Sequence, residues 1–175
     1  MKKFKDSNLD IINTSNTCAV IVAYEPTKSI FDLILVLKKK LRKIFIIDNS
    51  GNDFSNNLLN DLISDDFLKI KRNSTNKGIA TALNQGVKNA IESGFDWVLT
   101  LDQDTILKDN FLDLAINSFK NFPNKSEIGA IGLNSIDSNG KLNYNNNFTT
   151  KDYLITSGMF VPLKIFINYG FFKES

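Results

Sequence analysis

Short, mostly apolar runs alternate along the chain with segments whose apolar residues recur every three or four positions, and this alternation restricts the fold more than any other feature. "TCAVIVAY" (residues 17–24) has strand length and is apolar almost throughout, the pattern of a strand covered on both faces; Glu25-Pro26 ends it. From Ser29 to Leu41 the residues Ile30, Ile34, Leu37 and Leu41 share one helical face. Ser29 suits the cap, and Lys38, Lys39 and Lys40 suit the negative end of the helix dipole. "KIFIID" (43–48) reads as the second strand, closed by the turn-rich "NSGND". A short helix near 57–63 leads to a third strand at 67–71. Residues 78–94 form a helical pattern with Ile79, Leu83, Val87 and Ile91 in line and Gly94 as the stop. "DWVLTL" (96–101) is the fourth strand, followed by a helix over about 109–122 and a strand "IGAIGL" at 128–133. The Asn- and Ser-rich stretch 134–150 reads as a loop or hairpin. The apolar stretch 153–172 contains Lys164, Asn168 and Pro162, so it fits a buried strand and helix better than a membrane span.

Strand and helix in this order imply right-handed parallel crossovers. The expected fold is α/β, an open and mostly parallel Rossmann-like sheet with helices on both faces. At 175 residues the chain is long enough for a single core, and one domain over 1–175 is expected. Ligands of such sheets bind beyond the carboxyl ends of the strands. Tyr24-Glu25, Asp48-Asn49 and Asp102-Gln103-Asp104 therefore converge on one rim.

Composition narrows the chemistry available there. The chain has no histidine, which removes imidazole bases, Ser-His and Cys-His pairs, and His-bearing zinc sites. Cys18 is the single cysteine, so an internal disulfide is excluded and a reducing compartment fits. A net charge of +2 is too mild to indicate nucleic acid. Lys2, Lys3 and Lys5 are not backed by an apolar run, so no secretory signal is read and a cytoplasmic protein is expected. The basic run from Lys38 to Lys43 fits a solvated helix end, and peripheral contact with the inner membrane face stays open as the second reading.

Acids must then carry most of the work, and "LTLDQDT" (99–105) is where they concentrate. Asp102 and Asp104 lie two apart at the end of a buried strand, so an extended backbone would aim both carboxylates to one side. Two hard oxygen ligands with open positions beside them suit Mg²⁺ or Mn²⁺ held jointly with a substrate diphosphate. A chance pair in an exposed loop is the plainer alternative, and the place after an apolar strand favours function. Asp48 could accept the imide N–H of a uracil or thymine ring, or close its own turn. Tyr24-Glu25-Pro26 could wrap the base, or simply end the strand. Asn76, Lys77 and Gly78 stand at a helix start, where free N–H groups attract an anion and where a plain cap is also expected. Asn84, inside the helix, serves a polar pocket or faces solvent.

Together, "VIVAYEP", "IIDNS", "NKGIATALNQGV", "VLTLDQDT", "GAIGL" and "TSGMFVPLKIFINYGFF" resemble the family 2 glycosyltransferases of GT-A fold, in particular their rhamnosyltransferase-like branch, over about residues 17–172. The resemblance implies a transferase for polysaccharide biosynthesis. Its donor would be a dTDP- or UDP-sugar, with dTDP-rhamnose favoured by "DQD", and its acceptor a saccharide or a lipid-linked sugar. Asp104 would be the principal metal ligand and Asp102 its partner near the sugar and ribose. Asp48 would read the base, Ala23, Tyr24 and Glu25 would line the base pocket, and Asn76, Lys77 and Gly78 would flank the nucleotide. Ala23 and Glu25 depart from the Thr and Asn more often found there. Thr156-Ser157-Gly158 resembles the small-residue turn beside the donor sugar, and also an ordinary strand-ending turn. The family's inverting transfer uses a carboxylate base that follows the "GFF" segment in an acidic motif. Glu174 lies before that place, so no base is nominated, and a chain lacking the acceptor-side region is expected. A donor-binding module without catalysis is the alternative. "DQDTIL" also fits the D-x-D-x-T signature of haloacid-dehalogenase-type phosphatases, but without the N-terminal placement and later acids that chemistry needs.

Overall fold

The computed structural model describes residues 11–51, 58–62, 65–133 and 151–174. In chain order the elements are β1 (Thr17–Ala23), α1 (Ser29–Lys38), β2 (Ile44–Asp48), β3 (Leu68–Arg72), α2 (Ile79–Glu92), β4 (Trp97–Asp102), α3 (Phe111–Asn121), β5 (Ile131–Gly132), β6 (Met159–Pro162) and α4 (Leu163–Tyr169). They build one sheet in the order β3-β2-β1-β4-β6-β5, parallel from β3 to β4, with β6 running against both of its neighbours.

Strand alternation sorts the core into two layers. Ala19, Ile21, Ile44, Ile46, Trp97 and Leu99 face one side and pack with Ile30, Leu33 and Ile34 of α1 and Phe111, Ala115 and Phe119 of α3. Cys18, Val20, Phe45 and Val98 face the other, against Leu83, Val87 and Ala90 of α2 and Leu163 and Phe166 of α4. Helices therefore cover both faces, which is why β1, β2 and β4 carry almost no polar residues. At Gly86 helix α2 lies so close to β1 that an added Cβ would come within 2.3 Å of Val20 Cγ1.

The expected open α/β fold holds, with local corrections. Ser29 is the first residue of α1, and Lys28 occupies the cap without a side-chain cap bond. The strand expected over 128–133 shrinks to Ile131–Gly132 at the sheet edge, because its glycines supply no side chains to pack. The strand and helix expected within 153–172 are β6 and α4. The loop expected at 134–150 lies outside the described residues, as does part of the helix expected at 57–63, of which residues 58–60 are helical. The basic run at the end of α1 is neutralised locally by Lys38–Asp65, Lys39–Asp109 and Lys40–Asp113 ion pairs. Among the described residues no helix is long and apolar enough to cross a membrane.

Candidate functional site

Strand register decides which strand-end residues meet. Val22 stands opposite Asp102, so both side chains emerge on the α2 side of the sheet. There they line a cleft of about 410 Å³ with Tyr24, Asn76, Gly78 and Asp104. Ala23 stands opposite Asp48, which in turn stands opposite Arg72, so these three side chains leave on the other face.

Asp48 consequently lies beneath the rim, 1% exposed, and not in the cleft lining. Its Oδ1 accepts from the Ser50 N–H (3.1 Å) and hydroxyl (2.6 Å), and its Oδ2 is 3.8 Å from Arg72 Nε. Ser50 Oγ also accepts the Glu25 N–H at 2.7 Å, which joins the ends of β1 and β2. Glu25 adopts a left-handed backbone (φ 47°) and is exposed outside the lining. Ala23 is fully buried, and its carbonyl accepts the Asn49 N–H at 2.7 Å.

Two residues without an assigned role in the sequence organise the rim. Asn49 Oδ1 accepts from Asn73 Nδ2 (2.9 Å) and the Lys77 N–H (3.0 Å), while its Nδ2 donates to Asn76 Oδ1 at 2.7 Å. This one amide gathers the loop before α2, and Lys77 is held through its backbone with its side chain outside the lining. The Asn76 carboxamide also accepts the Gly78 N–H at 2.9 Å. Gly78, at φ 77°, has nothing within 4 Å of a would-be Cβ, which leaves the start of α2 open to a close-approaching ligand. Gln103 donates to the Tyr24 carbonyl and accepts the Tyr24 N–H, both at 2.9 Å, and so clamps the ends of β1 and β4 together. Their positions next to strand-end acids were the available signal.

Asp102 and Asp104 both reach the cleft, but only Asp102 by strand alternation. β4 stops at Asp102, and a turn closed by the Thr105 N–H on the Asp102 carbonyl (3.2 Å) carries Asp104 to the exposed edge. Burial pushes the Asp102 carboxyl above its usual range, the neighbouring Asp104 charge pushes it the same way, and a hydrogen bond with Ser157 opposes both. Among the described residues no group of three or more His, Cys, Asp or Glu side chains could enclose a metal. The site thus offers two carboxylates and space, not a complete coordination cage.

Asn84 neither faces solvent nor lines the cleft. It is 2% exposed, exchanges two hydrogen bonds with the Phe172 backbone (2.9 and 3.0 Å) and donates to Glu174 Oε1 at 2.8 Å. Hydrogen bonds from Asn84 and Thr81 hold the Glu174 carboxyl below its usual range.

The family model described as glycosyl transferase family 2 matches residues 18–173. A poly-beta-1,6-N-acetyl-D-glucosamine synthase of Staphylococcus aureus (strain COL) is 30% identical over 135 residues, covering 75% of this chain and 31% of the relative. A dTDP-rhamnosyl transferase, RfbF of Shigella flexneri, is 32% identical over 99 residues, covering 56% of this chain and 32% of the relative. The chain therefore spans under a third of the length of these curated relatives. In fold it is similar to S. aureus TarS 1–349 in complex with UDP-GlcNAc, with a TM-score of 0.66 at 16% identity over 91% of this chain and 49% of that one.

Proposed function

The chain belongs to glycosyl transferase family 2, and from that premise we propose that its cleft binds a pyrimidine-diphosphate sugar, dTDP-rhamnose foremost, together with Mg²⁺ or Mn²⁺. The observation that carries this reading is the meeting of Asp102 and Asp104 with Tyr24, Asn76 and the glycine-led start of α2 in one cleft. Two hard oxygen donors fit a cation that completes its shell with diphosphate oxygens and water. When bound, such a cation neutralises the charge that develops on the departing diphosphate.

In this reading Asp104, exposed on its turn, is the principal ligand, and Asp102 faces the cation and the ribose. The half-exposed Tyr24 ring offers the base a stacking surface. Asp48 supports the base end from below through Ser50 and the Glu25 N–H. The open backbone at Gly78 admits the phosphates, with Lys77 alongside. "DQD" and the likeness to a dTDP-rhamnosyl transferase favour dTDP-rhamnose; UDP-sugars are the competing donors. The whole protein would transfer the sugar with inversion to a saccharide or lipid-linked acceptor on the cytoplasmic side, in the building of a surface polysaccharide. Both acids lining the cleft are committed to the cation, so the base for the acceptor hydroxyl is not assigned.

Calorimetry of dTDP and UDP with Mn²⁺ or with a chelator tests the reading. Mn²⁺ is expected to tighten nucleotide binding, and Asp104→Ala to remove that gain, weakening Mn²⁺-supported binding at least about tenfold, with stability held within about 0.5 kcal/mol because the side chain is exposed. Binding that ignores Mn²⁺, or a gain that survives Asp104→Ala, would sink the proposal.

A further inference from the structure

Ser157 stands where the acidic turn after β4 meets the turn that enters β6. Its Oγ accepts the Asp102 N–H at 3.1 Å and lies 2.6 Å from Thr105 Oγ1. The same hydroxyl also draws the Asp102 carboxyl downward, against burial and the Asp104 charge. Either hydroxyl of the Ser157–Thr105 pair can be the donor, and when Thr105 donates, the Ser157 proton is left for the Asp102 carboxylate.

The turn that carries Ser157 is also anchored without it. The Gly158 N–H donates to the Thr100 carbonyl at 2.8 Å, and the Leu133 N–H donates to the Gly158 carbonyl at 2.9 Å. The Thr100 hydroxyl bonds the Thr156 carbonyl and, at 3.3 Å, the Met159 carbonyl. The sheet seam is closed by these bonds, so the Ser157 hydroxyl is not needed to close it. Its reach is instead toward the acid pair. Asp104 stands exposed on its turn, whereas Asp102 is half-buried and held at its backbone N–H by Ser157.

We propose that Ser157, with Thr105 behind it, is the positioning residue of the acid pair, holding the Asp102 carboxylate in one orientation while Asp104 adjusts to the cation. This inference rests on the reading that the cleft takes a cation with its nucleotide. It assigns Ser157 an action through Asp102, distinct from any contact with a donor sugar.

The test measures Mn²⁺ affinity by electron paramagnetic resonance in the presence of dTDP or UDP. Nucleotide affinity in chelator and the urea midpoint are measured alongside, for wild type, Ser157→Ala, Ser157→Thr and Thr105→Val. Ser157→Ala is expected to weaken Mn²⁺ binding about tenfold, the scale of a lost hydrogen bond to a charged group. Its chelator-phase nucleotide affinity and its midpoint stay at wild-type values. Ser157→Thr, which keeps the hydroxyl, restores Mn²⁺ affinity, and Thr105→Val, which keeps the Ser157–Asp102 bond, loses only part of it. Equal losses with and without Mn²⁺, or no loss at all, would overturn the inference; if Ser157→Ala does not fold, the same comparison is made on Thr105→Val. A wild-type protein indifferent to Mn²⁺ overturns the functional reading itself, and that failure shows before any variant is made.

Discussion

The ladder β3-β2-β1-β4 and the reversed strand β6 with its edge partner β5 share one sheet but are held by different means. Every residue of β2 is buried, and six of the seven in β1 are; two continuous apolar layers press on that half of the sheet. On the other side β6 has four residues and β5 two, and polar fasteners do much of the joining: Thr100 to the turn before β6, Gly158 to Thr100, and Asn84 to Phe172. Apolar burial is strong and non-directional, while hydrogen-bonded fasteners contribute less and set angles. The cleft lies on the boundary, with its floor from the ladder and one acid tied across the seam. A site built this way gains a rigid base and one side whose geometry depends on a few polar atoms.

The largest break in this comparison would come at Trp97. It is fully buried at the start of β4, paired in register with Thr17 of β1 and Pro162 of β6, and its ring meets Phe119 edge-on at 5.5 Å between centroids. Trp97→Ala is expected to cost about 3–5 kcal/mol, read as a fall in the urea midpoint. A loss below about 1 kcal/mol would show that the apolar layers do not dominate.

The same contrast explains what could be read from the sequence. β1, β2 and β4 announce themselves because strands covered on both faces must be apolar at nearly every position. "IGAIGL" looks similar, yet only Ile131–Gly132 pairs, since an edge position rewards glycine-rich segments little. At the site, topology put Tyr24, Asp102 and Asp104 on one rim, and in the structure they line one cleft together with Asn76 and Gly78 from the start of α2. Topology could not separate Asp48 from Asp102. Both end apolar strands, and only the inter-strand register sends one into the cleft and the other beneath it. The bonding roles of Asn49, Ser157 and Asn84 were illegible for a related reason: their partners lie 24–28, 52–55 and 88–90 residues away.

A smaller effect sharpens the comparison from the fastened side. Asn84 is a buried amide whose bonds go to the segment around Phe172 and Glu174. Asn84→Ala leaves those backbone groups to water, so the segment should fray locally before the sheet yields. Hydrogen exchange should show protection lost at residues 170–174, with global stability lowered by about 1 kcal/mol. A global loss as large as that of Trp97→Ala would mean that the fastener supports the ladder as well.

The smallest effect is one of sign, and it divides two acids. Asp65, in the ladder half, has its carboxyl held below the usual range, chiefly by the hydrogen bond from Lys38 and then by the Phe67 N–H. Asp102, at the seam, is held above that range by burial and by Asp104. A lowered acid contributes stability that is full above its unfolded pKa, near 3.9, and fades as pH falls through the folded value. A raised acid does the reverse: it costs stability at neutral pH, and the cost disappears as pH falls through the folded value toward the unfolded one. Asp65→Asn should therefore be less stable than wild type at pH 7, and Asp102→Asn more stable. Because Asp65 is partly exposed, solvent screening should keep its deficit under about 1 kcal/mol. Urea midpoints measured from pH 7 down to about pH 4 should show the Asp102→Asn surplus closing, while the Asp65→Asn deficit closes only at still lower pH. If both variants lose stability at pH 7, Asp102 is anchored like an ordinary structural acid. The seam would then carry no stored cost that a bound cation could relieve.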